Sequence, residues 1–112
     1  MQRLEVFFRP EAIADLQDIY RVIYRVSQSD VTATRFVERI MARARRVGDA
    51  PRGGRPRDDL SPGLRTVPFE RTAVIAYRVG DVVEITNVFY GGRDYESLYR
   101  DSGATSAGSD EP

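Results

Sequence analysis

The stretch DVTATRFVERIMARARRV, residues 30–47, decides the fold. Ala33, Phe36, Val37, Ile40, Met41, Ala44 and Val47 recur at three- and four-residue steps, the period of a helix with one apolar face. Arg35, Glu38, Arg39, Arg43 and Arg46 take the other side. Arg45 and Arg46 fall in the last turn, where the helix dipole favours cations, and Gly48 and Pro51 then stop the helix.

Upstream, Ser27-Gln28-Ser29-Asp30 is short, polar and rich in capping types, so it reads as a tight connection with Ser29 or Asp30 as the cap. Before it, Ile13, Leu16, Ile19, Tyr20 and Ile23 mark a first helix that opens at Pro10, carries Glu11, Asp15 and Asp18 towards its N-terminal end and finishes near Val26. Two helices joined this closely pack as an antiparallel hairpin. Ahead of them, Arg3 to Phe8 alternates Leu4, Val6 and Phe8 against Arg3, Glu5 and Phe7, the period of a strand.

Downstream, Pro51 to Gly63 is rich in Gly, Pro and charge and reads as a loop. Three strands follow: Leu64 to Phe69, Thr72 to Val79 and Val82 to Tyr90. The two-residue links Glu70-Arg71 and Gly80-Asp81 make them an antiparallel meander. Gly91-Gly92 ends it, and Arg93 to Arg100 can form a short helix. The predicted fold is therefore α+β, β-α-α-β-β-β, with the helical hairpin on one face of a mainly antiparallel sheet. The other face is left to solvent or to a partner. Residues 1–100 form one domain, and residues 101–112, dominated by Ser, Gly and acidic groups, are expected to be a disordered tail.

Composition narrows the chemistry. The 112 residues hold no cysteine and no histidine, which removes thiolate and imidazole metal ligands, the Cys nucleophile and the commonest general base. No metal and no cofactor is expected. No apolar run approaches the roughly 20 residues of a membrane span, and the start MQRLEVFFRPEA lacks a secretory leader's apolar stretch, so a cytoplasmic protein without membrane contact is expected. All 17 basic residues are arginine and balance 17 acidic ones; three of the latter, Asp101, Asp110 and Glu111, lie in the tail.

Several segments together resemble the RelE/ParE toxins. They are Pro10-Glu11-Ala12 with Asp15-Leu16, Pro51-Arg52-Gly53-Gly54-Arg55-Pro56, Leu60-Ser61-Pro62-Gly63-Leu64-Arg65, Val74-Ile75-Ala76-Tyr77-Arg78-Val79 and Val88-Phe89-Tyr90-Gly91-Gly92-Arg93-Asp94. They occur in the right order over roughly residues 4 to 99. The resemblance implies the toxin half of a type II toxin–antitoxin pair, neutralised by a co-encoded antitoxin of ribbon-helix-helix or similar type. It also implies one of two targets, because RelE-like members cut messenger RNA on the ribosome and ParE-like members poison DNA gyrase.

Cutting RNA requires a base for the 2′-hydroxyl, a positive clamp on the phosphate and an acid for the leaving oxygen. The nuclease candidates are Arg65, Arg78, Arg93 and Tyr90, with Tyr95 and Tyr99 nearby and Glu70 or Glu84 as a conceivable base. A tyrosine with an ordinary pKa of about 10 is a poor base near neutrality, and no His or Lys supports it. A gyrase-binding toxin needs no base, and the inventory fits that branch better. For binding the antitoxin or target, the candidates are Arg52, Arg55, Arg57, Arg65, Arg78, Tyr90 and Arg93. Five of these have a plainer reading: Arg65 and Arg78 paired with Glu70, Glu84 or Asp94, and Arg52, Arg55 and Arg57 solvated and balanced by Asp58 and Asp59, while Tyr90 beside Gly91 is a candidate for exposure. Tyr77 and Phe89 read as core. A binding module without toxicity is the third class.

Overall fold

A computed structural model describes residues 3–92 and 94–100. The elements run β1 (Val6–Phe8), α1 (Pro10–Ser27), α2 (Asp30–Arg46), a single 3-10 turn, β2 (Arg55–Pro56), β3 (Arg65–Phe69), β4 (Ala73–Val79) and β5 (Val83–Tyr90). A last helical turn, α3, covers residues 95–100. The strands form one sheet in the order β1-β5-β4-β3-β2, in which β1 runs parallel to β5 and every other pair is antiparallel. No helix among the described residues is long and apolar enough to cross a membrane.

The helices begin and end where local chemistry directs. Pro10 opens α1 without a side-chain cap, and Gln28 closes it in the left-handed conformation, donating its N–H to the Tyr24 carbonyl. Ser29 is the cap of α2, its Oγ accepting the Thr32 N–H at 3.1 Å. Asp30 instead accepts from the Tyr20 hydroxyl and so ties the two helices together. Ala12, Ala33, Ile40 and Ala44 are completely buried, and three of these four are alanine, which lets the helices lie close to the sheet and to each other. The seven-residue stripe of α2 is wider than the sheet contact. Phe36, Val37 and Met41 are only half-buried along its margins.

β3, β4 and β5 each start one residue later than expected, which makes both links three residues long and not two, and the sheet departs from the expected strands in three further places. β1 is three residues long and not six, because Leu4 donates its N–H to the Gly48 carbonyl and leaves the ladder. The segment read as a loop contains the two-residue strand β2, since Arg55 and Pro56 pair with Thr66 and Arg65. The third departure is a bulge in β5. Ala76 faces Asn87 and Tyr77 faces Ile85, so Thr86 is an extra residue. The bulge changes the parity of β5, and Val83, Ile85, Val88 and Tyr90 therefore all reach the core beneath the helices. Strict alternation would have turned the last two away.

The second face of the sheet is not left bare. Leu64, Ala76 and Phe89 make a smaller apolar cluster there, with Leu60, Val74, Tyr95 and Tyr99 against it. Tyr95 stacks on Phe89 at 4.9 Å between ring centroids, and Tyr99 meets the same ring edge-on at 6.2 Å. The chain's own α3 thus covers part of the face that the sequence reading left to solvent or a partner.

Candidate functional site

The loop Pro51–Pro56 is held from beneath by two residues of the sheet. The Tyr77 hydroxyl, buried at the centre of the sheet, donates to the Pro51 carbonyl and accepts the Gly54 N–H, both at 2.9 Å. Arg65 Nη1 donates to the carbonyls of Arg52 at 3.0 Å and Gly54 at 2.8 Å. A Cβ at Gly54 would lie 2.8 Å from the Tyr77 ring carbons, so only glycine lets the backbone come this close. The loop is fixed while the side chains of Arg52 and Arg55 stay exposed. Tyr77 and Phe89 are core, as expected.

Arg57 is not a solvated loop residue, because its side chain is 6% exposed. Its guanidinium forks onto Asp59 at 3.0 and 2.8 Å, reaches Glu96 at 2.7 Å and donates to the Tyr95 hydroxyl at 3.3 Å. Arg57 therefore pins α3 to the loop. Hydrogen bonds from Arg57 hold the Asp59 and Glu96 carboxyls below their ordinary range. Asp58 does not balance an arginine; it accepts the Gly63 N–H at 2.8 Å.

Arg65 and Arg78 were expected either to clamp phosphate or to pair with Glu70, Glu84 or Asp94. Neither is paired with those carboxylates. Arg78 donates to the Pro62 carbonyl and to Ser61 Oγ, the latter at 2.6 Å, and so holds the loop before β3 much as Arg65 holds the loop before β2. Arg65 lies opposite Tyr77 in the β3–β4 ladder, and Arg78 is the next residue along β4. Neighbouring residues of a strand point to opposite faces. Arg65 and Arg78 consequently lie on opposite sides of the sheet.

Tyr90 sits elsewhere again. It pairs with Ala73 at the far end of β4, half-buried, its ring edge-on to Phe36 at 5.7 Å. Ala73 and Tyr77 are four residue steps apart along the strand, roughly 13 Å at about 3.3 Å per residue. Glu70 is taken by Arg39 in a bidentate pair of 3.0 and 3.1 Å, and Glu84 lies 3.9 Å from Arg9. Arg93 falls outside the described residues. Burial pushes the Tyr77 and Tyr99 hydroxyls up from their ordinary value, the wrong direction for a base. The candidates with described positions do not converge on one reacting atom.

Two features escaped the sequence reading. Asp15, read only as an acidic residue near a helix start, reaches across to β5, where Oδ2 accepts from Val88 N at 2.9 Å and Asn87 Nδ2 at 3.1 Å. Arg39, Arg43 and Arg46, read as the polar side of α2, together line a groove against β3. Their spacing of four and three residues was the available signal, since it places all three on one stripe. The outer seam of the helical hairpin is a further open surface, an apolar groove of about 570 Å³ between Ile13, Leu16 and Tyr20 of α1 and Val37 and Met41 of α2.

These positions can be set beside known proteins. No curated protein sequence matches the chain. Among solved structures, a chain described as "Chromosomal ParDE TA system from P. aeruginosa" superposes with a TM-score of 0.68 at 25% identity, covering 80% of this chain and 97% of that one. The family model described as "ParE toxin of type II toxin-antitoxin system, parDE" matches residues 6–95. With most of its length matched, and with the helical hairpin and mixed sheet in place, the chain belongs to the ParE toxin family of type II toxin–antitoxin systems.

Proposed function

We propose that this chain is a growth-arresting toxin that acts in the cytoplasm by binding and inhibiting DNA gyrase, and that a co-encoded antitoxin neutralises it. The observation that carries this reading is the separation of the candidate residues. Arg65 and Arg78 occupy opposite faces, Tyr90 lies at the other end of the sheet, and both arginines are committed to backbone carbonyls. A ribonuclease needs base, acid and phosphate clamp around one scissile bond. A toxin that works by docking on a large enzyme needs only a shaped surface.

The antitoxin, of ribbon-helix-helix or similar type, would lay an amphipathic segment in the apolar seam of the helical hairpin, a helix-in-groove mode of recognition. Exposed Ile13 and Tyr24 on α1, the latter stacked on Tyr20, support this placement, since they give the seam an apolar border. Arg52 and Arg55, held outward by the fixed loop, are the candidates for acidic groups of either partner. The test is induced expression with and without the neighbouring reading frame. Growth arrest with DNA breaks and an SOS response, relieved by the neighbour, supports the proposal; prompt ribosomal messenger cleavage would replace it with the nuclease reading.

A further inference from the structure

A groove of about 370 Å³ runs between the C-terminal half of α2 and the hairpin end of β3, lined by Arg39, Arg43 and Arg46 on the helix and by Pro68, Phe69 and Glu70 on the strand. The three arginines span roughly 10 Å of helix at about 1.5 Å per residue. Among the described residues, Arg43 and Arg46 form no ion pair, whereas Arg39 stacks over Phe36 at 5.2 Å and forks onto Glu70. The groove thus already holds one carboxylate, and two guanidinium groups in it are uncommitted. Glu70 is held there at φ 46°, a left-handed conformation unusual for a residue with a side chain, so the Arg39 pair helps to fix the hairpin tip.

We infer that this groove is a docking site for a carboxylate-rich protein segment, with Arg43 and Arg46 as its forks and Phe69 and Pro68 as its apolar floor. The segment does not enter as an added strand. β2 covers β3 only at Arg65 and Thr66, and on the uncovered part Pro68 has no N–H to offer a neighbour. A nucleic-acid backbone fits less well. The chain has a formal net charge of zero and a pI near 6.3, far from the basic balance of a phosphate-binding domain, and the groove's apolar wall has nothing to contact on a phosphate chain. Aliphatic residues between carboxylates would fill it. The inference stands apart from the gyrase proposal, because it does not depend on the target.

The test uses the full chain, a short fluorescein-labelled peptide alternating Glu and Leu, and anisotropy at low ionic strength, with a short labelled DNA duplex in parallel. Wild type should bind the peptide saturably, and Arg43→Gln/Arg46→Gln should weaken it by about tenfold or more. Arg25→Gln/Arg100→Gln, which removes the same charge elsewhere, should leave it within about twofold. Glu70→Gln, which frees Arg39 without touching the other two arginines, should tighten binding several-fold. No saturable peptide binding, equal loss in both double variants, or no gain in Glu70→Gln would overturn the inference. So would a duplex that binds more tightly than the peptide and is lost with Arg43 and Arg46.

Discussion

The Asp15 carboxylate on α1 accepts the backbone N–H of Val88 on β5, Oδ2 to N at 2.9 Å. β1 pairs with β5 only from Val83 to Ile85, after which the chain turns away into α1. Just beyond the bulge, Val88 would meet no strand on that side, and the first helix supplies a side chain in place of one. The same oxygen receives Asn87 Nδ2. Helix, bulge and sheet edge are thereby joined at one carboxylate.

Asp15→Ala should therefore cost more than an exposed helical substitution. It leaves a partly buried N–H without its acceptor and loses a charge-assisted bond, about 1.5 to 3 kcal/mol. In thermal unfolding, a domain of this size should lose on the order of 4 to 8 °C per kcal/mol. An unchanged melting temperature would show that water replaces the carboxylate at no cost.

Tyr77→Phe should loosen the Pro51–Pro56 loop while leaving the sheet intact. The hydroxyl bridges Pro51 and Gly54, and its loss leaves both groups short of a buried partner, a cost of about 1 to 3 kcal/mol. Amide exchange should speed up at Gly54 well before it does in β4 and β5. Uniform acceleration across the sheet would mean that the hydroxyl supports the whole core.

Ile40→Asp should unfold the protein. Ile40 is completely buried in the main core, whose described members include no cationic side chain to pair with a carboxylate. A cooperatively melting variant of near wild-type stability would contradict the placement of α2.

Stability should fall as pH drops below the ordinary carboxylate range, and Arg57 should be one cause. The Asp59, Glu96 and Glu70 carboxyls are all held below their ordinary range by arginine hydrogen bonds. A group with a lowered folded-state pKa contributes stability that is complete above the ordinary carboxylate range of about 4 to 4.5 and is lost as pH falls through the lowered value. Melting temperature followed from neutral pH downward should drop across that window in wild type and drop less steeply in Arg57→Gln. Parallel curves would assign the acid sensitivity to other carboxylates.

The elements that could be read from the sequence are those with an uninterrupted period. α2 and its Ser29 cap, α1 from Pro10, and the antiparallel meander were legible because each leaves a local pattern. The bulge at Thr86 was not, since one extra residue looks the same in sequence as a change of face. β2 was hidden because two residues carry no period. The burial of Arg57 depends on Glu96 and Tyr95, nearly forty residues away, and an arginine among aspartates reads locally as solvated. The candidate arginines on β3 and β4 were correctly placed on neighbouring strands. Their opposite faces follow from register, and register was set by pairing that the sequence does not state.

The proposal that this toxin works by binding gyrase is tested most directly with purified components: supercoiling of relaxed plasmid by gyrase, titrated with the chain, beside a ribosome-dependent messenger-cleavage assay. Supercoiling should fall with toxin concentration and cleaved DNA should accumulate, with messenger RNA left whole and Tyr90→Phe as potent as wild type. Undisturbed supercoiling together with messenger cut in the ribosomal A site, and that cutting reduced roughly 10²- to 10⁴-fold by Tyr90→Phe, would contradict it.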